Sequence, residues 1–307
     1  MKWKKYLPFI GIAIFIYLLF IIDLRRVLIE IWSANIWFLL LSLVFILFLF
    51  VNQTIKWYLI ARKQKILVPF SKALKINLVS HFYGFVTPSK LGSIIRVDYL
   101  RKYASTGKAI SNFIIDKVLD ISSLFFLAIV MGYFFKDRFS FFSLGYLVII
   151  FGVLIFLFVV FYNKKSSRFL LGFMYHKLFP KKLKDNIRVD FNSFYDDLPK
   201  KRFLILVFGV NIFTWINTYL VTYLIGLSLG INLSFVYFLA ILPLATIVAQ
   251  IPITINGLGT REATLIGLFS FFGVGAAKVF SMSILTLALA GVLPAVVACF
   301  LILRKKD

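Results

Sequence analysis

The sequence predicts an all-α fold: a polytopic transmembrane helical bundle of about six spans plus two broken, re-entrant helix pairs that enter from opposite sides. Three observations carry that expectation. Of the 307 residues, 61% are hydrophobic and 18% aromatic, against roughly 45–50% apolar in a soluble domain. The apolar residues fall into span-length runs separated by basic loops. Two runs are interrupted, at Thr87-Pro88-Ser89-Lys90-Leu91-Gly92 and at Pro252-Ile253-Thr254-Ile255-Asn256-Gly257-Leu258-Gly259. Irregular backbone at membrane depth is tolerated only where it is buried in protein or lines a wet cavity.

The first run, Tyr6 to Ile22, follows a basic start and leads into Asp23-Leu24-Arg25-Arg26 rather than a small-residue cleavage site, so it is expected to be an uncleaved span. The second covers Ile36 to Ile55. Lys56, Arg62, Lys63, Lys65, Lys72 and Lys75 come next without an acid among them, a mark of the cytoplasmic side. Between Ser71 and Val86 the residues Asn77, Ser80, His81 and Gly84 share one helical face, which cannot look at lipid. Pro88 ends that helix, and a second limb from Ser93 to Tyr103 carries Arg96, Asp98, Arg101 and Lys102. Both ends of this first pair are therefore expected to be cytoplasmic.

Ile110 to Phe135 is long enough to span at about 1.5 Å per residue, with Asp116 and Asp120 expected in its first turns. A return span covers Phe141 to Tyr162. Residues 163–202 hold eleven Lys and Arg against four Asp, which predicts a cytoplasmic connector with two amphipathic pieces lying in the anionic interface. Phe203 to Ile225 is a further span with a polar stripe at Asn211, Thr214, Asn217 and Thr218. The uncharged stretch Gly226 to Ser234 is expected outside. A second broken pair, Phe235 to Ile251 and Ala263 to Phe272, precedes a last span that ends in Arg304-Lys305-Lys306. Both termini are expected to be cytoplasmic, the protein to reside in the cell membrane as one integral domain over residues 1–307, and the two pairs to form the pattern of an inverted repeat.

The net charge of +23 is what basic loops between apolar spans produce, so nucleic acid is set aside as a partner. The one cysteine, Cys299, lies in the last apolar run and excludes a disulfide framework. No P-loop or dinucleotide fingerprint is present; no cofactor, metal or catalytic residue is expected.

Candidate substrate-binding residues sit at the breaks. Asn256, Gly257 and Gly259 offer backbone amides at a helix start, where anions bind. Arg261 and Glu262 admit two readings, a headgroup contact or a structural pair in which Thr260 caps the helix and Glu262 complements its dipole. Arg96 and Lys90 admit both a ligand contact and a place at the membrane edge. Asp116 and Asp120, one turn apart, are expected to pair with arginines of the Lys90 to Lys102 limb rather than to hold a metal. His81, Asn211, Asn217 and Gln250 are expected to bridge helices.

Pro-x-x-x-x-Gly-Leu-Gly-x-x-Glu over Pro252 to Glu262, and Pro-x-x-x-Gly-x-x-x-Arg over Pro88 to Arg96, resemble the flippase-like membrane domain of lysylphosphatidylglycerol synthases, shared with UPF0104-type membrane proteins. The resemblance spans nearly the whole chain. It implies a domain that moves a charged lipid between leaflets and meets the headgroup through the two broken segments. Ser93 departs from the pattern where a glutamate is expected, and the soluble aminoacyl-transferring domain is not seen.

Two classes of function follow. The first is a translocase or lipid-binding transporter for anionic or polyprenyl-phosphate lipids, with Arg96, Arg261, Glu262, Asp116 and Asp120 around a polar cleft. The second is a membrane glycosyl- or phospho-transferase acting on a polyprenyl phosphate. A third, blander reading is an accessory subunit without transport.

Overall fold

The computed structural model describes residues 7–87, 90–135, 144–162, 191–251, 254 and 257–303. Their secondary structure is helical, with no strand among them. In chain order the helices are α1 (Leu7–Ile21), α2 (Leu24–Trp32), α3 (Ile36–Lys63), α4 (Phe70–Phe85), a 3₁₀ turn (Leu91–Ile94), α5 (Ile95–Leu100), α6 (Thr106–Phe134) and α7 (Leu144–Tyr162). There follow α8 (Phe191–Phe194), α9 (Lys201–Ser228), α10 (Phe235–Gln250), α11 (Thr260–Ser270), α12 (Ala276–Thr286), a π segment (Leu287–Val292) and α13 (Leu293–Leu303). Three rods, Ile36–Lys63, Lys201–Ser228 and Ala276–Leu303, are long and apolar enough to cross a membrane.

Local chemistry sets the helix ends. Asn35 caps α3, its Oδ1 accepting from the Trp37 N–H at 2.9 Å, and Asp23 caps α2 through the Arg25 N–H at 3.0 Å. Helix α6 begins at Thr106, earlier than the apolar run suggested, so Asp116 and Asp120 lie in its third and fourth turns rather than its first. The second limb of the first broken pair is shorter than expected and opens as a 3₁₀ turn. The first amphipathic piece expected in the connector lies outside the described residues, and of the second only the short α8 is described.

Helix α2 went unforeseen. Val27 is buried against the α12 end of the last rod, where Ser281 donates to its carbonyl at 3.3 Å, while Leu28, Ile29 and Trp32 are exposed. Large apolar side chains such as Leu47, Ile205 and Phe300 also face outward. In water they would form an adhesive surface; against lipid tails they cost nothing.

Helices α3 and α9 form the central packed pair, joined at one end by the Asn35 N–H donating to the Ser228 carbonyl at 2.8 Å. At the opposite end Asp197 ties the α3–α4 loop to the start of α6, accepting from Lys65 at 2.7 Å and Lys108 at 2.6 Å. The segments read from sequence as external gather at the first end: the α1–α2 corner, Gly230 to Leu233 and Phe272 to Lys278 line one cavity of about 760 Å³. Helix α4 packs on α13 and α3, and α10 packs on α6 and α9, so each broken pair is packed against the long helices.

The last rod contains a feature with a local cause. Pro294 has no N–H to give to a carbonyl one α-turn back, and the ladder before it widens to the π spacing, with the Leu293 N–H reaching Ala288 O. His81 of α4 donates from Nε2 to the Gly291 carbonyl of that segment at 3.3 Å, which bears out its expected role as a bridge between helices.

Candidate functional site

A polar cavity of about 230 Å³ lies between α3, α4, the first break, α6, α9, α11 and the π segment. The polar face of α4 turns into it: Asn77, Ser80, His81 and Gly84 all line the space. Helix α9 adds Thr214, Trp215 and Thr218, and Arg261 comes from the start of α11. A smaller space of about 140 Å³ shares Lys90, Trp215, Thr218, Arg261 and Thr286 with the first and extends to Gln250 and Ser283. The two broken segments thus meet across one cleft, Lys90 from the first and Arg261 from the second.

The ion pairs order the cleft. Arg96 is 4% exposed and donates from Nη2 to Asp116 Oδ2 at 2.7 Å, while its guanidinium lies over the rings of Trp57 at 5.0 Å and Phe113 at 5.2 Å. This is the expected pairing of an α6 aspartate with the second limb. Asp120 does otherwise: its partner is Lys56 of α3, which also stands 3.9 Å from Asp116 Oδ1. Lys56 had been read only as a marker of the cytoplasmic side; it is buried two turns inside α3. Its position seven residues before the end of that helix was the available signal.

At the second break Glu262 is 2% exposed and accepts from the Gly259 N–H at 2.6 Å, the Ser283 hydroxyl at 2.7 Å and Arg261 at 3.1 Å. It is the N3 residue of α11 reaching back to cap the helix. Gly259 holds the N-cap position, and Thr260, expected there, is the first helical residue and donates instead to Gly257 O at 3.1 Å. Arg261 also donates to the Ser283 hydroxyl at 2.8 Å and keeps part of its surface open to the cleft. Asn256 lies outside the described residues; Gly257 and Gly259 are buried, and Gly259 N–H is engaged by Glu262.

Two cations and two hydroxyls are left over. Among the described residues neither Lys90 nor Lys117 has a carboxylate within salt-bridge distance, and the Ser80 and Ser93 hydroxyls, both lining the larger cavity, have no hydrogen-bond partner. Sequence reading missed Ser93, Lys117, Ser283 and Lys56. Asn217 donates to Phe45 O of α3 at 3.5 Å, bridging helices as expected, whereas Asn211 turns back to Val207 of its own helix at 2.9 Å.

A helical bundle whose exterior suits lipid and whose interior holds ion pairs around a wet cleft is an integral membrane protein with a charged site in its core. The model of the lysylphosphatidylglycerol synthase TM region matches residues 9–298, and the chain belongs to that family. A UPF0104 membrane protein of Pyrococcus horikoshii is 24% identical over 331 aligned residues, which cover 99% of this chain and 98% of the relative. The chain is therefore a membrane protein of a lipid-related family.

Proposed function

We propose that the protein is a lipid translocase that carries a phosphate-bearing lipid between leaflets through the central cleft, as one integral membrane domain. The observation that supports this reading is the placement of Lys90 and Arg261, from two oppositely entering breaks, on one cavity that also holds Lys56, Arg96 and Lys117. A surplus of cations without carboxylate partners in one cleft calls for an anion. Breaks that open toward opposite ends give that anion a route from either leaflet. Exposed apolar side chains such as Leu47, Ile205 and Phe300 let acyl chains stay in the bilayer while the headgroup enters.

The orientation belongs to the same proposal. Both termini and residues 163–202 are assigned to the cytoplasm and Gly226 to Ser234 to the outside, with Asp197, Lys65 and Lys108 at the inner mouth.

The transferase reading finds less support, because Asp116 and Asp120 are engaged by Arg96 and Lys56 rather than presented to a nucleotide-bound cation. Reconstitution into liposomes separates the two. Fluorescent anionic and polyprenyl-phosphate lipids should become accessible to reduction by an impermeant reagent without chemical change. A new lipid product in place of scrambling would favour the transferase, and neither product nor movement with any anionic lipid would end the translocase reading.

A further inference from the structure

We propose, resting on the reading of the cleft as an anion site, that its ligand is a doubly charged phosphomonoester headgroup held between Lys90 and Lys117. The charge inventory leads there. Lys56, Lys90, Arg96, Lys117 and Arg261 line the cavity, and three carboxylates, Asp116, Asp120 and Glu262, are bound to Arg96, Lys56 and Arg261. Five cations against three carboxylates leave an excess of two. The two without a carboxylate partner among the described residues are Lys90 and Lys117, one on the first break and one on α6, so the excess comes from two elements that line the same space.

A phosphodiester brings a single negative charge and would leave one ammonium of the pair without a counter-charge. A phosphomonoester brings two. The neutral part of the site fits the same ligand, since Ser80 and Ser93 line the cavity and their buried hydroxyls have no hydrogen-bond partner, while a monoester offers three acceptor oxygens. Ser80 is 5% exposed, so its hydroxyl has little else to bond.

Lys90 sits at a left-handed turn of the break, φ +56°, as Lys65 and Asp197 do elsewhere, and no carboxylate fixes its ammonium among the described residues. Arg96, by contrast, is fixed by Asp116 and by two aromatic faces, which suits it to shape the wall rather than to grip a mobile group.

The test is equilibrium binding to the full chain in phosphatidylcholine nanodiscs near about pH 7, where a monoester with its second ionisation near about 6 is mostly dianionic. Phosphatidate and farnesyl phosphate are the monoester probes, phosphatidylglycerol the diester and sn-glycerol 3-phosphate the soluble monoester. Phosphatidate should bind at least about tenfold tighter than phosphatidylglycerol, the worth of one extra charge-assisted contact. Lys90→Gln and Lys117→Gln should each weaken phosphatidate binding about tenfold while changing phosphatidylglycerol by less than about threefold, and the double change should abolish the preference. Lys90→Arg and Lys117→Arg, which keep the charge, should retain it and serve as folding controls.

Equal binding of the two lipids by the unaltered protein overturns the proposal and leaves the translocase reading standing. A preference that survives the double change overturns it as well. Glycerol phosphate binding as tightly as phosphatidate keeps the dianion assignment and removes the lipid from the proposed function.

Discussion

Arg96 Nη2 lies 2.7 Å from Asp116 Oδ2, both side chains almost fully buried, and this pair locks the second limb of the first break to α6. The lock has an asymmetry. Asp116 also has Lys56 at 3.9 Å, so losing the arginine leaves the carboxylate one cation, whereas losing the carboxylate leaves Arg96 with none among its described partners. Asp116→Asn should therefore lower stability by about 3–5 kcal/mol and Arg96→Gln by less. The double change should recover part of the loss. Melting in detergent followed by size-exclusion fluorescence checks the order, and equal effects would mean that Lys56 does not share Asp116.

Arg261 separates a ligand contact from a structural pair. If it grips phosphate, Arg261→Lys should cut transport at least about tenfold, because lysine keeps the charge but not the planar fork. If it only neutralises Glu262, the lysine variant should transport normally, and Arg261→Gln with Glu262→Gln should outperform Arg261→Gln alone. Glu262→Gln by itself weakens the cap on Gly259, so stability must be measured beside transport. A stable, active double variant would remove Arg261 from the binding site.

The breaks depend on two glycines for different reasons. A Cβ on Gly92 would stand 2.1 Å from Tyr83 O and 2.8 Å from Thr87 Oγ1, and Gly257 has φ +76° with Ala249 Cβ 2.4 Å from where its own Cβ would be. Gly92→Ala and Gly257→Ala should each cost about 1–3 kcal/mol, the first because the Tyr83 backbone cannot move aside and the second because a side chain at positive φ is strained as well as crowded by Ala249. Gly209, inside α9 with open space around it, is the control, and Gly209→Ala should be neutral or gain up to about 1 kcal/mol. Thermal melts of the three variants decide it.

Asp197 offers a charge test outside the spans. Hydrogen bonds from Lys108 and then Lys65 hold its carboxyl below the usual carboxylate value, and the same bond to Asp197 raises Lys65. A depressed carboxylate contributes stability that is present above its unfolded value and fades as pH falls through the folded one. Asp197→Asn keeps a residue type that tolerates the φ of +54° while removing the charge. Its melting temperature should lie below that of the parent protein near neutral pH and meet it only once pH has fallen through the folded value, which lies below the usual carboxylate value of about 3.9. A gap that persists there would assign the effect to something other than the ion pairs.

Topology can be read by labelling. With Cys299 replaced, single cysteines at Ser166 and Asn186 should react only after permeabilisation, and one at Asn232 should react from outside in intact cells. Reaction of Ser166 or Asn186 from outside would invert the assigned orientation.

The sequence by itself determined that the chain is a helical membrane bundle, where most of its helices lie, and that two of them break, although α2 was not foreseen and α3 runs eight residues past its expected end at Ile55. Those properties are local: span length, helical spacing and proline are written in consecutive residues. It also set Arg261 beside Glu262 and offered the α6 aspartates as partners for the arginines of the second limb, which holds for Asp116 with Arg96 and not for Asp120. What only the tertiary structure decided is which charges are neighbours across helices. Lys56 looked like one more basic residue after an apolar run, and its partnership with Asp120 exists because α3 and α6 pack together there. Ser283, which holds both Arg261 and Glu262, comes from a helix 21 positions away. The surplus that Lys90 and Lys117 leave in the cleft is likewise a property of packing, since an ion pair is a relation in space that charge and spacing along one helix cannot specify.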